Sequence, residues 1–147
     1  MASPAPASAG PRPAARSYFE DVQVGLELET PGLTLTETHV GLFAGLSGAH
    51  TSEAGAVPDL LPLCLSSGLG WRLGVPPLAV LAFMGFEWRT HVPARVGDTI
   101  HCRCRTAAKR SMREGGVVVE ERDIVNQRGE VVQSCKLTVL VAHRPAS

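Results

Sequence analysis

The second half of the chain alternates between apolar and polar residues in four separate runs. Valine, isoleucine and threonine are frequent in these runs, and the stretches PARVGD, MREGG and NQRG separate them. A period of two with β-branched residues is typical of half-buried strands, and short turns favour antiparallel pairing of successive strands. The pattern therefore predicts four strands in antiparallel succession, at 78–92, 98–111, 116–125 and 130–143.

The first half of the chain predicts one more strand and two helices. Residues 26–35 alternate well enough for a strand. In TETHVGLFAGLSG, Thr36 is a suitable N-cap, apolar residues follow at helical spacing, and Gly48 is a suitable end. The later segment LLPLCLSSGLGWRLG, which follows Pro58 and Asp59, is apolar on nearly all faces. Such a helix is normally wrapped by other structure, so we expect it to be central.

These elements predict an α+β domain in which a strongly twisted antiparallel sheet curls round one hydrophobic helix. A chain of 147 residues, 44% of them hydrophobic, can bury one good core but is too short for two ordinary domains. We therefore expect a single domain at 17–144. The segment before it, 1–16, is rich in proline and alanine and is expected to form a disordered tail.

Composition argues against several kinds of partner. Fourteen basic and fourteen acidic residues cancel, so no global field would attract nucleic acid or an anionic membrane. The apolar runs are far shorter than the roughly 20 residues that a membrane span requires. The first residues contain no apolar stretch that would act as a secretory signal, and we expect a cytoplasmic protein.

Four cysteines occur, at Cys64, Cys102, Cys104 and Cys135. On a strand, Cys102 and Cys104 share one face, with side chains too far apart and too parallel for an easy disulfide. Zinc is the alternative, but no CxxC or HxxxH spacing supports it. We favour buried, reduced thiols and expect neither a metal nor a cofactor.

Four stretches of the sequence resemble a known family. They are YFEDVQVG at 18–25, TETHVGLFAGLSG at 36–48, VPARVGDTI at 92–100, and the strand-rich segment at 109–141. The family is that of the MaoC-like dehydratases and (R)-specific enoyl-CoA hydratases, which have the hot-dog fold. The resemblance implies a central helix at about 61–73 inside a curved antiparallel sheet, and a homodimer whose two sheets join. It also implies acyl thioester substrates, carried by coenzyme A or an acyl carrier protein, that enter at the subunit interface.

The same resemblance implies a catalytic pair that this sequence lacks. In the family, the first helix ends in glycine-aspartate, and a histidine follows an asparagine-proline a few residues later. Together they activate water for addition to a 2-enoyl thioester. Here Ala49 stands where the aspartate belongs, the next segment is shortened to HTSEAGAV, and Pro58-Asp59 replaces a histidine-glycine. A methyl group cannot transfer a proton, so we expect altered chemistry.

Two residues near this gap are the candidate catalytic groups. His50 is adjacent to the altered position and could act as a base or a hydrogen-bond donor; the alternative is a loop histidine in solvent. Asp59 aligns with the place beside the thioester carbonyl in the family; the alternative is that it caps the helix. The candidate substrate-contacting residues are Ser47, Gly48, Leu60, Cys64 and Ser67.

Other polar residues have simpler interpretations. Glu53 is expected to be a flexible surface residue, and His39 a surface residue of the first helix. His91 and His101 flank the PARVGD turn, where a structural hydrogen bond is the expected role of each. Arginine supplies twelve of the fourteen basic residues. A compositional bias explains this excess, and the alternative is a guanidinium patch that grips the phosphates of coenzyme A or a carrier-protein arm.

Two functions from different classes fit these observations. The first is a MaoC-like protein that acts on an acyl thioester or polyketide-like substrate, as a dehydratase with a reshaped site or as a repurposed lyase or cyclase in biosynthesis. His50 and Asp59 would then supply the proton transfers, helped by orientation of the substrate in an apolar tunnel. The second is a non-catalytic hot-dog subunit that binds acyl chains or forms a hetero-oligomer with an active relative.

Overall fold

Residues 15–146 of the chain are described by a computed structural model. The tail predicted at 1–16 lies outside the described residues, except for its last two. A 3-10 helix at Phe19–Asp21 precedes the regular elements. In chain order these are β1 (Glu27–Glu29), β2 (Leu33–Thr34), α1 (Glu37–Ser47), α2 (Leu60–Gly70), β3 (Val80–Thr90), β4 (Thr99–Met112), β5 (Gly115–Val125) and β6 (Val131–Val141).

The strands form one antiparallel sheet in the order β1-β4-β5-β6-β3, and β2 also pairs with β4. All four long strands of the prediction are present, and β4-β5 and β5-β6 are the predicted hairpins. The predicted pairing of β3 with β4 is wrong, because β3 pairs with β6 instead. β4 has β5 on one side and β1 with β2 on the other, so no edge of β4 remains for β3.

The strand predicted at 26–35 is interrupted in its middle. Thr30, Pro31 and Gly32 separate β1 from β2, although both strands lie against β4. At the break, Thr30 keeps contact with β4 through two hydrogen bonds: its backbone N–H donates to Cys102 O, and its Oγ1 accepts from Cys102 N, each at 2.9 Å. Proline lacks the N–H that a continuous ladder requires, which accounts for the interruption.

Helix α1 begins and ends where the sequence predicts. Thr36 Oγ1 accepts a hydrogen bond from His39 N at 3.3 Å, and His39 Nδ1 accepts one from Thr36 N at 3.1 Å. Gly48 ends the helix in the left-handed conformation, with φ of 71°, and donates to Ala44 O at 2.8 Å. His39 therefore stabilises the helix start instead of only covering its surface. Leu46, one of the apolar residues at helical spacing, is 89% exposed.

Helix α2 packs over β4 and β5 with one face only. Leu61, Ser66 and Leu69 are buried against the sheet, and Ser66 bonds back to the preceding turn. The opposite face of the helix is exposed, so the sheet of this chain covers the side that carries the buried residues. The helix ends at Gly70, three residues before the predicted end. Among the described residues, neither helix is long and apolar enough to cross a membrane.

The side of the sheet that faces α2, called here the helix-facing side, carries two separate apolar clusters. The larger cluster joins α2 to the sheet and includes Leu61, Leu69, Ile100, Cys102 and Ile124. The smaller cluster, at the other end of the same side, consists of Phe19, Val22, Val118 and Val141. The part of the helix-facing side between the two clusters belongs to neither apolar core.

The prediction of buried thiols is confirmed for three of the four cysteines. Cys102, Cys104 and Cys135 are buried, and burial raises the pKa of Cys104 to about 12 and that of Cys135 to about 11. Burial also raises the pKa of Cys102. Cys64 lies exposed on α2, so the prediction is wrong there. The three buried thiols are inert packing groups, because thiolates are the reactive form.

Candidate functional site

One loop, residues 48–59, joins α1 to α2 and carries both candidate catalytic residues. It is anchored to the connection between β3 and β4: Val96 N donates to Gly55 O at 2.9 Å, and Ala56 forms an isolated β-bridge with Arg95. Arg95 Nη2 also pairs with Glu53 Oε1 at 2.7 Å. Glu53 is exposed, as predicted, but the ion pair holds it against the neighbouring turn. Glu53 is therefore an anchor of the loop.

Ala49 and His50 follow directly after α1. Ala49 is half-buried, and its N–H donates to Ser47 Oγ at 3.1 Å, while Ser47 Oγ donates to Phe43 O at 2.7 Å. Ser47 and Gly48, both candidate substrate contacts, thus already use their polar groups to end the helix. His50 is exposed and makes no side-chain hydrogen bond to residues 15–146. The imidazole is free to contact a ligand, and nothing in the described chain orients it.

Asp59 lies immediately before α2. Its backbone is helical, its side chain is exposed, and the carboxylate accepts no capping hydrogen bond. The capping role considered from the sequence is therefore not observed. Instead, the backbone O of Asp59 accepts a hydrogen bond from Gln133 Nε2 at 2.5 Å. Gln133 is buried on β6, and sequence reasoning missed it; the available signal was a polar residue in an alternating series that continues with Cys135, Leu137 and Val139.

The remaining candidate substrate contacts share one surface of α2. Leu60, Cys64 and Ser67 are exposed at successive turns of the helix, on the face opposite the buried leucines. Trp71, directly after the helix, continues this stripe and is 73% exposed. These residues could contact a ligand or another subunit that covers α2 from outside. They do not face the sheet of their own chain.

Sequence reasoning also missed an ion pair on the helix-facing side of the sheet. On β5, Val118, Glu120, Arg122 and Ile124 share this side, since successive residues alternate between faces. Arg122 Nε pairs with Glu120 Oε1. Burial opposes the positive charge of Arg122, but the charge and hydrogen bond of Glu120, together with the nearby Cys104 and Cys102, outweigh it, so the pKa of Arg122 lies above its usual value. The pair sits between the two apolar clusters.

The opposite side of the sheet, called here the outer face, carries charges of alternating sign. In register across the strands, one row is Glu27, Arg105, Glu121, Lys136 and Glu87; the next is Glu29, Arg103, Asp123, Ser134 and Arg89. An open trough of about 720 Å³ runs between the rows. Because Arg103 pairs with Asp123 and Arg105 with Glu121, these arginines do not form the guanidinium patch considered from the sequence.

His91 lies beside this trough and has the structural role that the sequence predicts. Its Nε2 is 2.9 Å from Ser134 Oγ, and Ser134 Oγ donates to Asp123 Oδ1 at 2.9 Å. The hydroxyl proton of Ser134 points to the Asp123 carboxylate and not to the imidazole of His91. This series of hydrogen bonds therefore does not activate Ser134 as a nucleophile. His101, by contrast, is half-buried and makes no side-chain hydrogen bond within the described residues.

A comparison with models of known protein families matched none of them to this chain. Among curated proteins, Protein MaoC of Klebsiella aerogenes is 36% identical over 102 residues, or 60% of this chain. That match spans only 30% of the length of the Klebsiella protein. The whole relative therefore contains much that this match does not cover.

Solved structures share the fold over nearly all of the described chain. A protein from Archaeoglobus fulgidus described as a monoamine oxidase regulatory protein superposes with a TM-score of 0.80 at 26% identity, covering 88% of this chain and 97% of that one. A MaoC-like dehydratase from Rhodospirillum rubrum gives a TM-score of 0.76 at 24% identity, covering 88% and 99%. The R-hydratase PhaJ1 from Pseudomonas aeruginosa gives 0.72 at 18% identity, covering 86% of each chain.

These likenesses agree with the geometry. Helix α2 packs on an antiparallel sheet with the strand order β1-β4-β5-β6-β3. The 48–59 loop, which carries polar residues, leads into that helix. The sequence match and the structural matches point to the same group of proteins. The chain therefore has the hot-dog fold, and its likenesses in sequence and in structure are to MaoC-like proteins of that fold.

Proposed function

We propose that this protein binds an acyl thioester, linked to coenzyme A or an acyl carrier protein, and acts on it as a lyase or a repurposed cyclase. The observation that carries the proposal is the exposed start of α2. There the carboxylate of Asp59 and the side chain of Leu60 are open to a ligand, while Gln133 fixes the backbone to the sheet. Dehydration or hydration of the acyl chain is the inherited chemistry of the family.

The start of α2 offers the electrostatics that a thioester requires. In α2, Leu61 N donates to Pro58 O at 2.9 Å and Pro62 carries no N–H, so the N–H of Leu60 is a first-turn donor left free within the described residues; the helix dipole favours negative charge at this end. A thioester carbonyl at this position would be polarised, as the oxygen of an oxyanion is in acyl-transfer sites. His50 and Asp59, at the two ends of the 48–59 loop, would exchange protons with the polarised substrate.

The altered residue next to His50 argues for changed chemistry. Ala49 occupies the position that the resemblance assigns to a catalytic aspartate, and its methyl group cannot move a proton. The nearest carboxylate in the loop sequence on that side, Glu53, is held by Arg95. We therefore assign proton transfer to His50 and Asp59, and expect rates different from those of relatives with the intact pair.

Turnover of crotonyl-CoA, followed by loss of the conjugated enoyl absorbance, tests the catalytic proposal. We expect His50→Ala and Asp59→Asn each to lower kcat/KM by at least about 100-fold, the usual contribution of a general acid or base. The control is Glu114→Gln, an exposed residue of the β4-β5 turn, which should leave kcat/KM unchanged. Full activity in both site variants would refute their assignment.

A non-catalytic role is the second candidate. Neither His50 nor Asp59 has a side-chain hydrogen-bond partner within residues 15–146, whereas catalytic groups are normally oriented by a neighbour. In this case the protein would bind acyl chains or form a hetero-oligomer with an active relative. Activity of the purified chain, together with a native mass that shows homodimers alone, would exclude this candidate.

We also propose that two copies form a homodimer through β3, in the cytoplasm. β3 is an edge strand of the sheet, and Val80, Leu81, Phe83, Met84 and Phe86 are all exposed on it. A long, apolar edge strand is a surface on which another strand can pair. Pairing of two β3 strands would join the sheets and bring together the acyl sites of both copies.

A further inference from the structure

The pair formed by Glu120 and Arg122 is unusual for the place where it lies. Their side chains are 20% and 18% exposed, and they separate two apolar clusters on the helix-facing side. Removing two charges from water costs several kcal/mol each, and well-packed apolar residues are often as stabilising in such a position. Stability alone therefore does not account for the pair.

Most of the hydrogen-bonding capacity of this pair is unused. A guanidinium carries five N–H donors. Only Nε of Arg122 is engaged, and neither terminal nitrogen makes a hydrogen bond to another residue within 15–146. Glu120 likewise uses Oε1 for Arg122 and leaves Oε2 without a hydrogen bond in the same part of the chain. The pair thus presents both donors and an acceptor.

Two more unpaired polar atoms lie on the same side of the sheet. Trp88 is in register with Cys135, which is in register with Arg122, so all three share the helix-facing side. The indole Nε1 of Trp88 and Oε1 of Gln133 are buried and have no hydrogen-bond partner within the described residues. Buried polar atoms normally have partners, so a ligand or water is expected at this surface.

This surface is also accessible next to α2. The helix packs over β4 and β5, while the side chains of β6 on this side are less covered; Leu137, in register with Glu120, is half-buried. Arg122 is a diagonal neighbour of Gln133 across β5 and β6, a separation of roughly 7–8 Å between Cα atoms. Gln133 in turn holds the start of α2 through Asp59.

We propose that the acyl group bound by this protein carries an oxygen substituent, oxo or hydroxyl, along its chain, and that Glu120 and Arg122 receive it. The inference rests on the proposed binding of acyl thioesters. An oxo group would accept hydrogen bonds from the terminal nitrogens of Arg122, and a hydroxyl could in addition donate to Glu120. An unsubstituted alkyl chain would leave these groups unpaired and desolvated, which lowers its affinity.

Calorimetric titration with matched thioesters tests the inference on the full chain. The probes are hexanoyl-CoA, 3-oxohexanoyl-CoA, 5-oxohexanoyl-CoA and 5-hydroxyhexanoyl-CoA, which differ only in the oxygen substituent. We expect at least one oxygenated probe to bind about tenfold more tightly than hexanoyl-CoA, the effect of one good hydrogen bond to a charged group.

A pair of double variants assigns the preference to these residues. Glu120→Leu with Arg122→Met removes both charges together, which avoids leaving one buried charge alone. The matched control, Glu121→Leu with Arg105→Met, makes the same two replacements in a cross-strand pair on the outer face. Circular dichroism and size-exclusion chromatography of both variants confirm that each is folded before titration.

In the Glu120/Arg122 variant, the ratio of the affinity for the oxygenated probe to that for hexanoyl-CoA should fall to about one. In the control variant, the tenfold ratio should persist. If hexanoyl-CoA binds as tightly as every oxygenated probe, or if the preference survives in the Glu120/Arg122 variant, this inference is overturned and the proposed function stands. If none of the four thioesters binds the wild-type protein, both the inference and the proposed function fail.

Discussion

The side chain of His143 joins the segment after β6 to the 3-10 helix and to the end of β4. Its Nδ1 is 2.7 Å from Glu20 Oε1, and its Nε2 is 2.9 Å from Met112 O. Both ring nitrogens face acceptors, so the protonated imidazole satisfies both contacts. The hydrogen bond to Met112 and the carboxylate of Glu20 raise the pKa of His143. The hydrogen bond from His143, followed by the one that Arg144 N donates to Glu20 Oε2, lowers the pKa of Glu20 to about 2.

We expect this contact to give the protein a defined pH dependence. The raised pKa of His143 means that its contribution is complete below the ordinary value of 6.5 and is lost as pH rises through the folded-state pKa. The lowered pKa of Glu20 means that its contribution is present above 4.5 and is lost as pH falls towards 2. The difference in urea midpoint between wild type and His143→Ala should therefore be greatest between pH 4.5 and 6.5.

His101→Ala is the control for this measurement. His101 is half-buried and makes no side-chain hydrogen bond within residues 15–146, so its replacement should give no such maximum. A difference between wild type and His143→Ala that stays constant from pH 4 to 9 would contradict the role assigned to the imidazolium.

At the scale of elements, Gly116 determines how the N-terminal 3-10 helix packs on β5. A Cβ atom built at Gly116 would overlap the ring of Phe19. The ring also lies over Lys109, with Nζ 4.9 Å from its centroid, and edge-on to His143. The absence of a side chain at one strand position thus creates the place where Phe19 packs.

We expect Gly116→Ala to lower the free energy of unfolding by about 1–3 kcal/mol, the usual effect of overpacking. Gly41→Ala, inside α1, is the matched control, since a Cβ there would meet nothing within 4 Å. The control should be neutral or stabilising by roughly 0.5–1 kcal/mol, because alanine favours helix more than glycine does. Urea denaturation of the three proteins measures both effects. Equal stability of Gly116→Ala and wild type would show that Phe19 is not held by this contact.

At the scale of the whole molecule, the apolar side chains of β3 form an exposed patch at the edge of the sheet. Phe83 and Phe86 are 57% and 51% exposed and contact each other edge-on, with ring centroids 5.9 Å apart. Fully burying one such side chain contributes about 1.5–3 kcal/mol. The proposed homodimer through β3 would cover them.

We expect Phe83→Lys together with Phe86→Lys to raise the dimer dissociation constant by at least about 100-fold, given the apolar burial lost at two positions. Light scattering coupled to size-exclusion chromatography at several concentrations measures the change. Leu42→Lys, which changes an exposed apolar residue of α1, is the control and should leave the dissociation constant unchanged. A dimer that withstands both replacements on β3, or a wild-type protein that is monomeric, would refute this interface.

The features that the sequence alone determined are those that depend on near neighbours. The four long strands follow from alternation, the start and end of α1 follow from Thr36 and Gly48, and the buried thiols of β4 follow from their shared face. The resemblance to the MaoC-like family was also readable from the sequence, because its motifs are short and lie in order along the chain.

The tertiary structure decided the features that join distant parts of the chain. The partner of β3 depends on which strand edges remain free after β4, β5 and β6 have paired, and a turn sequence does not contain that information. The sequence could not assign Glu120 and Arg122 to the helix-facing side, because four charged residues follow one another there and the face depends on register. The contact of Gln133 with Asp59 joins residues 74 positions apart, so packing alone places it at the start of α2.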